Sequence, residues 1–323
     1  MTKHDGGFPN GFRESRISLL GIPSERGAGT AGTLMGPAAL RTAGLPACLA
    51  DLGYIVHDKG DMSAPAPVEP AMDPIAAARC RNLADITAWT RAIHDAAYEM
   101  ARSGGVPVFM GGDHSLSMGT ISGVARACRD AGRELAVLWL DAHADYNTPD
   151  TTPSGNMHGM ALAYLSGDPS LAPLSGDAGH VPIAPDSISL FGVRSVDREE
   201  RRALAEHGVE VVDMRQIDEE GIVAPLRRIL DRLKKRNVHL HVSFDADFLD
   251  PALAPGTGTA VMGGATYREA HLVMEMIHDS GLLGSLDLVE LNPFLDERGR
   301  TARLVADLTA SLFGLTVLHR QPA

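Results

Sequence analysis

The sequence predicts a three-layer α/β fold on a parallel sheet of eight strands, and three observations lead there. Eight short apolar runs are spaced along the chain, helical patterns lie between most of them, and neither linker nor repeat divides the 323 residues. Strand and helix in alternation imply right-handed crossovers, which place helices on both faces of a parallel sheet. With 44% hydrophobic residues the chain is long enough to bury one large core. Residues 1–323 are therefore expected to form a single domain.

The strand runs are 17–22, 54–58, 106–110 (VPVFM), 135–140 (LAVLWL), 187–193, 209–213, 238–244 (VHLHVSF) and 284–290. After the second comes an irregular stretch, 61–74 (DMSAPAPVEPAMDP), whose prolines mark a long surface loop. A helical pattern over 76–102 follows, with 83–103 its clearest part; 222–236 and 266–280 read as two further helices. The glycine- and proline-rich stretch 167–186 reads as a second loop. Charged runs at 197–206 and 227–236 are mostly solvated helix faces.

Three segments at the ends of these runs carry chemistry. G-G-D-H-S (111–115) follows the third run, D-A-H-A-D (141–145) the fourth and F-D-A-D-F-L-D-P (244–251) the seventh. The carboxyl ends of parallel strands form the crevice where ligands bind, so three such clusters can converge. Asp141, His143 and Asp145 stand at i, i+2 and i+4, which an extended chain would put on one face, and Asp245 and Asp247 repeat the spacing. Taken alone, D-x-D after a strand is also the pattern of a helix cap or a solvated loop. Clustered carboxylates repel one another unless cations neutralise them, and four aspartates against two divalent ions reach formal neutrality, with His114 and His143 as neutral ligands. Oxygen donors with one imidazole per ion suit a hard metal such as manganese, and none of the three segments holds a cysteine; zinc, cobalt, nickel and iron stay open.

Composition narrows the function classes. Net charge is 29 − 41 = −12, which repels nucleic acid and anionic membranes and permits a small cationic substrate. Cys48, Cys80 and Cys128 are odd in number and far apart, which argues for a reducing compartment and against a disulfide framework. The first residues, MTKHDGGFPNGFRE, lack the apolar core of a signal peptide, and no run is long enough to span a membrane, so a cytoplasmic protein is expected.

G-G-D-H-S, D-A-H-A-D, F-D-A-D-F-L-D-P and G-T-G-T before G-G (256–264) occur in that order, flanked by G-I-P-S-E-R-G (21–27), G-P-A-A-L-R (36–41) and E-L-N-P-F (290–294). With these the chain resembles the ureohydrolases, and arginase most among them, over nearly its whole length. The resemblance implies an eight-stranded sheet of the arginase and deacetylase type, two manganese ions per subunit and a homotrimer or homohexamer. It implies that His114, Asp141, Asp145 and Asp245 hold one ion and Asp141, His143, Asp245 and Asp247 the other. N-T-P-D-T-T-P-S-G-N-M-H-G (147–159) is similar to the arginase segment in which Asn147, Ser154 and Asn156 meet the substrate α-carboxylate and His158 lies beside the metals. R-S-V-D-R-E-E (194–200) is similar to the one in which Asp197 and Glu200 receive the α-amino group, and Glu290 matches the acidic residue near the guanidinium. Three departures stand out: Pro153 for a threonine, Ser195 for an aspartate and Phe248 for a small residue. Pro153 would redirect the carboxylate loop, and Phe248 would add bulk near the metals.

Guanidinium carbon is a poor electrophile, so hydrolysis at neutral pH needs a stronger nucleophile than water, which paired ions supply as hydroxide. Asp145 is expected to carry the proton to the leaving amine and His158 to shuttle protons with solvent, while Glu290 pairs with the guanidinium. A hydrogen-bonded structural histidine and a helix cap are the plainer readings of the last two. His239 and His241 are not ligands, since His241 lies roughly 13 Å along the strand from Asp245. The 256–264 run lacks the lysine of a phosphate loop and reads as a turn that lets Thr259 approach the site. The expected reaction is hydrolysis of L-arginine to ornithine and urea. Alternatives are another guanidino or formimidoyl substrate (guanidinobutyrate, agmatine, formimidoylglutamate) or a metal-binding homologue without catalysis.

Overall fold

The computed structural model describes residues 16–178 and 180–317. The N-terminal stretch MTKHDGGFPNGFRE, expected to carry no signal peptide, lies outside the described residues.

Eight strands form one sheet: β1 (Arg16–Ile22), β2 (Ile55–Asp61), β3 (Val106–Gly111), β4 (Leu135–Leu140), β5 (Ile188–Val193), β6 (Glu210–Asp213), β7 (His239–Asp245) and β8 (Leu283–Val289). All pairings are parallel, in the order β2-β1-β3-β8-β7-β4-β5-β6. The helices are α1 (Gly36–Thr42), α2 (Leu45–Asp51), α3 (Pro74–Ala77), α4 (Leu83–Arg102), α5 (Ser117–Asp130), α6 (Ala161–Leu165), α7 (Arg198–His207), α8 (Met214–Glu220), α9 (Val223–Arg236), α10 (Tyr267–Ser280) and α11 (Arg300–Leu312).

Alternation along each central strand feeds two cores. Ala136, Leu138 and Leu140 of β4 pack with residues of α9, α10 and α11 on one face, and Leu135, Val137 and Trp139 pack with α4, α5 and α6 on the other. These two cores and the sheet between them are the three layers. Every residue of β3, β4 and β5 is buried, as a strand covered on both faces requires. Edge strand β2 is mostly exposed, and there Arg41 pairs with Asp58 at 2.7 Å and Asp61 at 2.5 Å.

The expected continuous helix over 76–102 is two helices. Pro74 starts α3 behind the cap Asp73, whose side chain accepts from Ile75 N and Ala76 N, and the chain then turns until Asn82, at φ 51°, precedes α4. Apolar spacing continues through the break, so periodicity alone could not reveal it.

Chain order explains how the three chemical segments meet. The last two strands, β8 and β7, insert between β3 and β4, so the ends of β3, β8, β7 and β4 are consecutive neighbours about 4.8 Å apart. Side chains after β4 and β7 line one crevice, and those after β3 and β8 lie behind it.

Candidate metal centre and substrate pocket

G-G-D-H-S leaves β3 as a tight loop closed by Asp113. Its fully buried carboxylate accepts from Gly27 N at 2.8 Å, Ala28 N at 3.3 Å and Ser115 N at 2.9 Å, pinning the 24–28 segment beside the site. Gly112 permits this approach, since a Cβ there would stand 1.7 Å from Ser24 O. Two residues later His114 stacks on Trp139, with ring centroids 3.9 Å apart.

The alternation expected of 141–145 does not hold. β4 ends at Leu140, the following residues bend, and Asp145 turns over at φ 48°. His143 Nδ1 therefore faces Asp247 at 3.0 Å and Asp141 at 3.4 Å, while Asp145 comes within 3.2 Å of His114 Nδ1. Asp247 likewise leaves the strand: it lies in a 3-10 turn that Asp245 caps by accepting from Asp247 N at 2.7 Å. Asp245 combines the capping pattern with a place in the cluster.

Two groups of donor atoms result, each within 4.8 Å of one another: His114, Asp141 and Asp245, and Asp141, His143 and Asp247. Asp141 belongs to both. His114 Nδ1 is buried without a hydrogen bond and has oxygens of Asp245, Asp141 and Asp145 at 3.0, 3.1 and 3.2 Å. Burial and mutual repulsion raise the carboxyls of Asp145, Asp245 and Asp247 above the usual range. Burial also pushes Asp141 upward, but His114 and His143 beside it prevail and hold it low. Burial opposes charge on His143, yet Asp141 and Asp247 push it up to about 12. So concentrated a buried set of oxygens around an unpartnered imidazole nitrogen fits hard divalent cations.

Above the cluster opens a cavity of about 220 Å³, lined at its base by His143, Asp145, Asp245 and His158 and at its rim by Asn147, Pro153, Ser154, Asn156, Asp197, Glu200 and Thr259. Asn147 is already committed: its amide donates to Asp197 at 3.0 Å and accepts from Thr151 at 2.9 Å. Ser154 and Asn156 are thus the rim groups more open to a carboxylate. Asp197 caps α7 in a reciprocal box with Glu200, which accepts from Asp197 N and Tyr146 N at 2.9 Å each. Burial pushes the Glu200 carboxyl up to about 7. Thr259 donates to Asp247 at 3.0 Å, joining the rim to the cluster.

Glu290 lies behind the pocket rather than in its lining. Immediately after β8 it adopts φ 60°, and Oε1 accepts from His114 N and meets His158 Nδ1, both at 2.8 Å. Although burial opposes it, this carboxylate holds the His158 imidazolium up to about 9. Phe248 does not crowd the cluster either. Its ring is fully buried against Phe191 and Phe244, in space left by Gly192 at φ 93°. His239 and His241 both bond Ser285, at 3.1 and 2.8 Å, away from the pocket.

Arg194 had no expected role. Its guanidinium donates to the carbonyls of Gly192, Asp247, Leu249 and Val261, at 3.2, 2.6, 3.3 and 2.8 Å, and so ties the end of β5 to the Asp247 turn and the Thr259 loop. No local pattern announces such a clamp, because apart from Gly192 its acceptors are main-chain atoms more than fifty residues away.

Residues 15–314 match the model of the Arginase family. The arginase of Agrobacterium fabrum is 55% identical over 302 residues, covering 94% of this chain and 92% of that protein. A solved arginase of Bacillus caldovelox superposes with a TM-score of 0.85 at 38% identity, covering 94% of this chain and 99% of that one. Entamoeba histolytica arginase, solved in complex with L-ornithine, gives 0.82 at 28% identity, covering 94% and 99%.

Proposed function

The chain belongs to the arginase family and is a hydrolase of the guanidinium group; we propose that its substrate is L-arginine, converted to ornithine and urea at a site holding two manganese ions. The observation that carries this reading is the pocket, which has the cation-seeking cluster at its base and both signs of polar group at its rim.

His114, Asp141, Asp145 and Asp245 would hold one ion and Asp141, His143, Asp245 and Asp247 the other. When bound, such ions supply Lewis acidity and lower the pKa of water enough for hydrolysis at neutral pH. The protein's residues do the rest. Asp197 and Glu200 orient the α-ammonium, while Ser154 and Asn156 donate to the α-carboxylate, so the guanidinium end points down to the cluster. Asp145, on its strained backbone, carries a proton to the leaving amine. His158 keeps one proton at Nδ1 against Glu290 and exchanges the proton of its other nitrogen, Nε2, with solvent through the pocket; Glu290 thus acts through His158.

One domain is supported by the single sheet. Among the described residues no helix is long and apolar enough to cross a membrane. A cytoplasmic homotrimer or homohexamer remains part of the proposal, resting on the family. The test is urea release from L-arginine, agmatine and guanidinobutyrate, and glutamate release from formimidoylglutamate, by manganese-loaded protein. Preference for L-arginine is expected, and preference for any other would overturn the substrate assignment.

A further inference from the structure

Behind His114 a line of buried side chains leads away from the pocket. His114 Nε2 meets Ser243 Oγ at 2.8 Å, Ser243 Oγ lies 3.5 Å from Ser117 Oγ, and Ser117 Oγ donates to Asp287 Oδ2 at 2.6 Å. All four residues are at most 1% exposed. Thr120, one turn along α5 from Ser117, donates to the same oxygen at 2.7 Å, but no hydrogen bond links it to Ser243 or His114.

A carboxylate oxygen can only accept, and that gives the line a direction. Ser117 spends its one hydroxyl proton on Asp287 and can offer Ser243 only a lone pair. If Ser243 gave its own proton to His114, two hydroxyl lone pairs would face each other between buried side chains. The consistent arrangement runs from His114 Nε2–H to Ser243, to Ser117, to Asp287. We propose that Asp287 is a positioning residue: through Ser117 and Ser243 it keeps the His114 proton on Nε2 and leaves Nδ1 as the atom presented to a cation. Nδ1 is the atom set among the oxygens of Asp141, Asp145 and Asp245. The proposal rests on the metal reading above and adds a residue about three side chains removed from the ion.

The test is calorimetric titration of metal-stripped protein with Mn²⁺, in wild type, Asp287→Asn, Ser117→Ala and Thr120→Val. Asp287→Asn and Ser117→Ala are expected to weaken one of the two binding events by about ten- to a hundredfold, the range for lost support of a ligating histidine. Thr120→Val removes a hydrogen bond to the same carboxylate outside the line and should stay within about threefold. Adding Ser117→Ala to Asp287→Asn should bring little further loss, and saturating Mn²⁺ should restore kcat. Equal weakening in Ser117→Ala and Thr120→Val would reduce Asp287 to a packing role and overturn the proposal, as would wild-type affinity in Ser117→Ala. Those two variants decide even where Asp287→Asn does not fold. A wild type that binds no Mn²⁺ would instead overturn the metal reading, and this proposal with it.

Discussion

In the base formed by the donor cluster under the pocket, His114, Asp141, Asp245 and Asp247 are 0–2% exposed and sit within a few residues of the ends of three central strands. At the rim, Ser154 and Asp197 are exposed, Asn156 is half-buried, and all three belong to connections between elements. The base holds repelling charges in place because the sheet behind it cannot yield, whereas the rim holds neutral amides, hydroxyls and two carboxylates on segments that can be rebuilt without disturbing the sheet. Reaction type and substrate choice are therefore carried by different parts of the chain.

Breaking the base should cost most. Asp141→Asn and Asp245→Asn should each lower kcat by more than about a thousandfold, about 4 kcal/mol of barrier, and deplete bound metal by elemental analysis. His114→Ala should lose mainly one of the two ions. Two tightly held ions in Asp245→Asn would remove that residue from the base.

Changes at the rim should alter choice rather than chemistry. L-Arginine should exceed agmatine by at least about a hundredfold in kcat/KM, because agmatine offers Ser154 and Asn156 no carboxylate to pair with. Asp197→Ala should lower kcat/KM for arginine by about tenfold or more and spare guanidinobutyrate, which has no α-ammonium. Equal losses on both substrates would mean that Asp197 serves the base through the α7 cap.

A smaller effect should appear with pH. Glu200, pushed up to about 7 by burial, is neutral below that pH and anionic above it. An anion attracts the substrate ammonium, so KM for arginine should fall roughly threefold or more from pH 6 to 8 while KM for guanidinobutyrate stays level. Parallel pH profiles of KM for the two substrates would separate Glu200 from any group acting on the chemistry. Least of all, Arg41→Ala at the β2 edge breaks partly exposed pairs with Asp58 and Asp61, and should cost no more than about 1 kcal/mol in thermal unfolding and leave kcat unchanged.

The eight strands and the residue types of the cluster were legible in the sequence because both depend on neighbours along the chain. Apolar runs such as LAVLWL must be buried on both faces, and aspartates and histidines directly after such runs must sit at strand ends. What those residues then touch was decided by strand order. Inserting β8 and β7 between β3 and β4 joins His114 to Asp141 and Asp245, and only that packing makes the left-handed turns at Asp145 and Glu290 tolerable. The same order buries Phe248 away from the pocket, sets Glu290 behind His158, and gives Asp113, Arg194 and Asp287 partners that no local pattern encodes. Spacing along the chain determines which face and which end of an element a side chain occupies; hydrogen bonds between residues a hundred positions apart exist only once the sheet has closed.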